Sequence, residues 1–203
     1  MKGNLKANNE KAIINCEYSM ATFSTSERRR KIKTDRRSTE ITLVFIKKTK
    51  FLTKKKVIRQ TFESVIMTQL FPKTQIDIFM QVLQADGGTR CACINAASLA
   101  LIDAGIPMKD FVVSCAAGYI DNTPILDLNY FEDAAGGPDV PIALLPKMNK
   151  ISLLQMDSKL SIENFEKVLS LAEDGCQQIH KVLDEEVKKY MKKLAEKKGL
   201  YVK

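Results

Sequence analysis

The chain has 203 residues, 45% of them hydrophobic, which suffices for one large domain or two small ones around an apolar core. No run of about 18 consecutive apolar residues occurs, so we expect no transmembrane helix. The polar N-terminus lacks the apolar core of a signal peptide, so we do not expect that segment either. The formal net charge of +8 is uneven, since residues 1–56 carry 16 Lys+Arg against 5 Asp+Glu, whereas residues 57–180 carry 8 against 15. A basic first part beside an acidic middle predicts a polyanionic partner.

The five cysteines are odd in number and lie mostly in apolar segments, which indicates reduced, buried thiols in an intracellular protein. Cys91 and Cys93 form a C-x-C pair without a second pair, so a zinc site is not expected. Because His180 is the single histidine, a Cys–His or Ser–His catalytic triad is also disfavoured.

Strands and helices alternate in the first half of the chain. β-Branched residues, apolar periodicity and Gly or Pro breaks predict these elements. In chain order they are a strand at 13–18, a polar loop at 22–35, a helix within 39–67, a strand at 75–84, and an Ala-rich helix at 91–104 that ends at Gly105.

The second half begins with several strands. We predict strands at 111–119, 124–128, 140–145 and 151–155, and then a helix at 162–195 with Ser161 as its N-cap. The lysine-rich end of that helix is interpreted as a solvated face rather than an RNA clamp. No internal repeat is visible, and this order of elements predicts an α+β fold of mixed α/β layers.

Residues 84–90, Gln-Ala-Asp-Gly-Gly-Thr-Arg, join a predicted strand to a predicted helix. Two glycines let backbone N–H groups approach an oxyanion, the helix N-terminus adds its dipole, and Arg90 offers a two-pronged donor. About forty residues later, the segment 127–139 supplies four acidic residues. Carboxylates of this kind can hold a metal ion or move a proton beside a bound anion. The two segments together suggest phosphoryl chemistry.

Several strings resemble the RNase PH family, in the order in which they occur. Residues 17–24 read Glu-Tyr-Ser-Met-Ala-Thr-Phe-Ser, residues 35–41 read Asp-Arg-Arg-Ser-Thr-Glu-Ile, and residues 81–90 read Gln-Val-Leu-Gln-Ala-Asp-Gly-Gly-Thr-Arg. The strings at 95–100, 105–108, 127–133 and 136–139 resemble the branch of that family formed by RNA exosome ring subunits.

The resemblance implies an RNase PH-like fold of the ribosomal protein S5 domain 2-like type, incomplete at the N-terminus. It implies a core domain at 12–145, followed at 146–203 by a C-terminal strand and long helix of the same domain with a basic tail. Members assemble into a six-membered ring with a central RNA channel. The expected partners are therefore RNA, other RNase PH-like ring subunits and cap subunits, with no membrane, in the nucleus, nucleolus and cytoplasm.

Active members of the family degrade RNA from its 3′ end with inorganic phosphate as co-substrate and release nucleoside diphosphates. The resemblance implies catalytic roles for Asp133 and Asp127, phosphate binding by Gly88, Thr89 and Arg90, RNA binding by Arg36 and Arg37, and Mg²⁺ binding by Asp127, Asp133 and Asp139. Three alternatives stay open: a catalytically inactive structural subunit of the ring, a stand-alone RNase PH-like enzyme that trims tRNA, and a non-functional fragment.

Two departures from the family pattern bear on these expectations. A strand-rich stretch normally precedes the segment that matches residue 12, so we expect an exposed sheet edge. Residues 45–56, which include six lysines, interrupt a segment that is almost continuous in the family. We interpret this insertion as a retained intron or a gene-model artefact, with a functional RNA-binding loop as the alternative.

Overall fold

A computed structural model describes residues 11–24, 50–156 and 158–199, and of residues 50–56 and 134 it describes the backbone alone. Its elements are β1 (Ile13–Met20), α1 (Lys50–Val65), a 3₁₀ turn (Thr68–Leu70), β2 (Gln75–Val82), α2 (Thr89–Asp103), β3 (Val113–Ile120), β4 (Thr123–Leu126), α3 (Tyr130–Ala134), β5 (Asp139–Leu145), β6 (Lys150–Leu154) and α4 (Ile162–Lys197). This order confirms the predicted α+β class. Neither the 3₁₀ turn nor α3 was predicted.

Strands β1 and β2 form a parallel two-stranded sheet, with Ile13 opposite Gln75 and Met20 opposite Val82. Alternate side chains of both strands are buried, as in a sheet that is covered on one face. Helices α1 and α2 pack on that face and complete the first hydrophobic cluster. The strands predicted at 13–18 and 75–84 are therefore confirmed.

Helix α1 begins at Lys50, so residues 50–56 of the predicted insertion form its first turns. Among the described side chains of this helix, Ile58, Phe62 and Val65 are fully enclosed. Residues 25–49, which hold most of the predicted polar loop and the start of the predicted helix, lie outside the described ranges.

The second sheet is antiparallel in the order β4-β3-β5-β6. Asp121 and Asn122 join β3 to β4 with φ of +47° and +58°, the conformation of a type I′ turn, as their position between two predicted strands indicated. Helix α4 lies on this sheet, and its small residue Gly175 allows a close approach. A Cβ at that position would lie 2.8 Å from Cδ1 of Leu126 on β4.

Helix α4 begins after Ser161, as predicted, although that side chain makes no capping hydrogen bond. Its first half buries Val168, Ala172 and Cys176, while its second half is mostly exposed. Within residues 11–24, 50–156 and 158–199, no helix is long and apolar enough to cross a membrane.

Helix α2 ends at the predicted glycine. Gly105 has φ of +69°, and its N–H donates to the carbonyl of Ile102 at 3.0 Å, while Ile106 N–H donates to the carbonyl of Leu101 at 3.0 Å. This pair of bonds is the Schellman arrangement that closes a helix with a left-handed residue. Beside α2, a groove of about 670 Å³ runs along β2, which in the described part of the chain pairs with β1 alone.

Candidate active site

The turn between β2 and α2 depends on its two glycines. Gly87 and Gly88 have φ of +79° and +52°, and Gly88 is the N-cap of α2. A Cβ at Gly87 would lie 2.1 Å from the backbone oxygen of Leu128, and one at Gly88 would lie 3.1 Å from Oδ1 of Asp127. The turn therefore packs directly against the start of the acidic segment, at a distance that only glycine permits.

A hydrogen bond also joins the glycine turn to the acidic segment. Oδ1 of Asp86 accepts from the N–H of Tyr130 at 3.1 Å. Asn129 then caps α3, because its side chain accepts from the N–H of Glu132 while Oε2 of Glu132 accepts from the N–H of Asn129. These bonds hold α3, which carries the exposed Asp133, against the glycine turn.

Thr89 and Arg90 occupy the first two positions of α2, where backbone N–H groups have no partner within the helix. Burial raises the pKa of Tyr18 on β1, an effect that its interactions with the Thr89 side chain and with the charge of Arg90 oppose. The N-terminus of α2, which carries positive partial charge, thus bears Arg90 at its second position. Phosphate binding by Gly88, Thr89 and Arg90 stays a prediction.

Arg90 has a neutral partner. Its Nη1 donates to Oε1 of Gln155, which follows β6, and its buried Nε has no hydrogen-bond partner among the described residues. Within the described ranges no Asp or Glu forms an ion pair with Arg90, so no carboxylate contact from those residues compensates its charge.

Two of the three predicted acids flank β3. Asp127 follows β4, with φ of +57° and its N–H donating to the carbonyl of Ala116 at 2.8 Å. Asp139 is half-buried at the start of β5, opposite Gly118 of β3. The described ranges contain no group of three or more Asp, Glu, His or Cys side chains arranged to hold a metal. Magnesium binding by Asp127, Asp133 and Asp139 stays a prediction.

The five cysteines are buried thiols, as predicted. Burial raises the pKa of Cys91 to about 12, an effect that a hydrogen bond with Ser114 and the charge of Arg90 oppose and the charge of Asp139 strengthens. The Cys91 thiol therefore lies within the electrostatic reach of both the cation and this acid. It is protonated at neutral pH and is unsuited to act as a nucleophile.

Helix α2 is fastened to β3 by two side chains. The amide of Asn95 pairs with both backbone groups of Ser114, donating to its carbonyl at 2.9 Å and accepting from its N–H at 2.7 Å. The hydroxyl of Ser98 donates to the carbonyl of Val112 at 2.7 Å. These bonds fix the position of the helix and hence of Arg90 at its start.

The structure thus brings Gly88, Thr89, Arg90 and Asp127 to one place, with Asp139 nearby and Asp133 on the adjoining helix. Arg36 and Arg37, predicted to bind RNA, lie outside the described residues. Three contacting residues were missed by the sequence analysis: Tyr18, Asp86 and Gln155. The first two lie within the family-like strings and so carried a signal, whereas Gln155 is 65 residues from its partner and carried none.

Two family models match the chain. Domain 1 of the 3′ exoribonuclease family, RNase PH, matches residues 2–107, and domain 2 matches residues 110–175. The chain belongs to the 3′ exoribonuclease family. The resemblance drawn from the motifs is thereby confirmed, and the two models meet between α2 and β3. The division that the sequence predicted after residue 145 stays a prediction.

Relatives within the family carry a consistent name. The chain is 59% identical over 184 residues to "Exosome complex component RRP41 homolog" of Arabidopsis thaliana, covering 89% of this chain and 70% of that protein. It is 48% identical to "Exosome complex component RRP41" of Homo sapiens (90% and 69% covered) and 46% identical to "Exosome complex component Rrp41" of Thermococcus onnurineus (94% and 71%).

The fold has a counterpart among solved structures. The crystal structure of rice (Oryza sativa) Rrp46 superposes with a TM-score of 0.70 at 19% identity, covering 90% of this chain and 76% of that one. At this identity the likeness supports the fold alone, and it agrees with the predicted RNase PH-like architecture.

Proposed function

We propose that the chain is a ring subunit of the RNA exosome that processes and degrades RNA from the 3′ end, in rRNA processing and mRNA decay, by phosphorolysis. One observation carries the catalytic part. The glycine turn that presents Arg90 packs against the acidic segment, through the close approach of Gly87 to Leu128 and the hydrogen bond from Tyr130 to Asp86. The turn proposed to bind phosphate and the segment proposed to supply the proton donor are therefore in contact.

The chemistry needs positive charge because both reactants are anions. The Arg90 guanidinium and the N–H groups at the start of α2 would bind inorganic phosphate. An oxygen of that phosphate attacks the phosphorus of the terminal diester, and the bond from phosphorus to the 3′-oxygen of the preceding nucleotide breaks. Asp133 donates a proton to that leaving oxygen, and a nucleoside diphosphate is released.

Magnesium fits this site only together with substrate. Mg²⁺ is commonly held by one or two carboxylates plus substrate phosphates, which suits acids that flank a strand without forming a cage of their own. Asp127 and Asp139 would hold it. Asp133 on α3 would either join them as an ionised ligand or, when protonated, serve as the proton donor. When bound, the ion would neutralise negative charge on the phosphates.

Binding to RNA phosphates, without contacts to particular bases, suits an enzyme that degrades many RNAs. Base-specific contacts would slow the enzyme at particular sequences. Arg36 and Arg37 are proposed to make these phosphate contacts. The names of the relatives support other exosome subunits as partners. RNase PH-like ring subunits and cap subunits are the partners proposed, together with RNA. The nucleus, nucleolus and cytoplasm are proposed as the compartments.

Phosphorolysis by the assembled ring tests the proposal. Wild-type ring should release nucleoside diphosphates from single-stranded RNA only when inorganic phosphate is present. Asp133→Asn should lower the rate about 10²–10⁴-fold, the range for loss of a general acid, while RNA binding persists. Asp121→Asn, at an exposed turn with positive φ that Asn tolerates, is the matched control.

Other outcomes separate the alternatives. A wild-type ring without phosphate-dependent product would contradict the catalytic role and leave the structural subunit. Native mass spectrometry distinguishes a mixed ring, which we expect, from the homohexamer of a stand-alone enzyme.

A further inference from the structure

Among the described residues, the hydrogen-bond partner of the Arg90 side chain is neutral, although acidic residues lie close by. Asp127 approaches Gly88, and Asp139 acts on the Cys91 thiol, yet Arg90 donates to the amide oxygen of Gln155. We propose that Gln155 is a positioning residue, which orients Arg90 for phosphate and leaves the guanidinium charge available. This inference rests on the proposed function.

The chemistry of the contact supports this role. Arginine has five N–H donors, and an amide oxygen that accepts from one of them fixes the side chain without neutralising it. A carboxylate in the same place would bind in two-pronged fashion and compete with phosphate for the same donors. The buried Nε of Arg90, which has no partner in the described residues, is a donor that a bound anion would satisfy.

The backbone gives Gln155 a defined position. Its N–H donates to the carbonyl of Pro141 at 3.3 Å, and the adjacent Leu154 pairs with Ile142. Pro141 is two residues from Asp139 on the same strand. The pairing of β5 with β6 therefore sets the place of the amide that holds Arg90 and the place of an acid of the proposed site.

Replacing Gln155 by the isosteric Glu changes the charge of the side chain and leaves its shape almost unchanged. In the assembled ring, Gln155→Glu should raise the KM for inorganic phosphate about tenfold or more, because the new carboxylate pairs with Arg90. The KM for single-stranded RNA and the kcat at saturating phosphate should change less than about threefold. Gln155→Met, which keeps the side-chain length but lacks the acceptor oxygen, should give a smaller rise in the phosphate KM.

Gln69→Glu is the control for the change in net charge. Gln69 is exposed in the 3₁₀ turn, and the carbonyl of its neighbour Thr68 accepts from the N–H of Ala12. Tyr18, whose side chain interacts with Thr89, lies six residue steps along extended chain from Ala12, so the control lies about 20 Å from the site. Its phosphate KM should equal that of the wild type.

The outcomes distinguish this inference from the proposed function. A phosphate KM in Gln155→Glu within about twofold of the wild type, or an equal rise in the phosphate and RNA KM values, overturns the positioning role alone. A second readout is the unfolding temperature in increasing inorganic phosphate, which should rise for the wild type and respond less in Gln155→Glu. A wild-type ring that neither uses nor is stabilised by phosphate overturns both.

Discussion

The closest approach in the site makes a quantitative prediction for Gly87→Ala. Adopting a φ of +79° costs a residue with a Cβ about 1–2 kcal/mol. The new Cβ would also lie 2.1 Å from the carbonyl oxygen of Leu128, so the turn or the acidic segment must move by roughly 1 Å. Overpacking of this kind costs about 1–3 kcal/mol, which gives a total loss of about 2–5 kcal/mol in the free energy of unfolding.

Gly136→Ala is the matched control. Gly136 has nearly the same φ, +80°, but nothing lies within 4 Å of an added Cβ, so only the backbone term of about 1–2 kcal/mol is expected. Urea unfolding of both variants measures the difference. Because a shift of about 1 Å can lower a rate about a hundredfold, phosphorolysis by Gly87→Ala should fall by that order. Equal destabilisation by the two variants would refute the contact argument.

Three further perturbations test the packing around the site. Asn95→Ala should cost about 1–3 kcal/mol in urea unfolding, because it leaves both backbone groups of Ser114 without the partners they have now; a loss below about 0.5 kcal/mol would contradict this. Phe62→Ala, at a fully buried position of α1, should cost about 3–5 kcal/mol in the same assay. Burial raises the pKa of Cys91 and of Cys176 to about 12 from an ordinary 9.0, so these thiols stay protonated in the native state above pH 9 while the unfolded chain loses its protons. The free energy of unfolding should therefore fall as pH rises from about 9 towards 12, and native protein at pH 8 should resist alkylation in intact-mass measurements until it is unfolded.

Periodicity predicted β2 well because that strand has one buried face. The alternation in 75–84 gave β2, and the small and apolar residues of 91–104 gave α2, although that helix starts two residues earlier, at Thr89. Helix α3 was missed because five residues are too short to show a period. Its capping box, Asn129 with Glu132 three positions later, was the available signal.

The site was predictable where its residues are neighbours in the chain. The glycine turn and Arg90 form one string, and the family resemblance joined that string to the acidic segment. Contacts between residues that are far apart in the chain produce no local sequence pattern and were not predicted. The bond between Arg90 and Gln155 exists because β6 ends beside the start of α2, which is a consequence of sheet order that local patterns do not encode.

The absence of a side chain at Gly175 has an effect beyond the helix that carries it. Any larger residue there would press on Leu126, whose immediate successor is Asp127. The position of Asp127, at the end of β4, therefore depends on the packing of α4 against the second sheet. A larger residue at position 175 that leaves the protein folded and assembled should therefore still slow RNA turnover, as a substitution in the proposed site itself would.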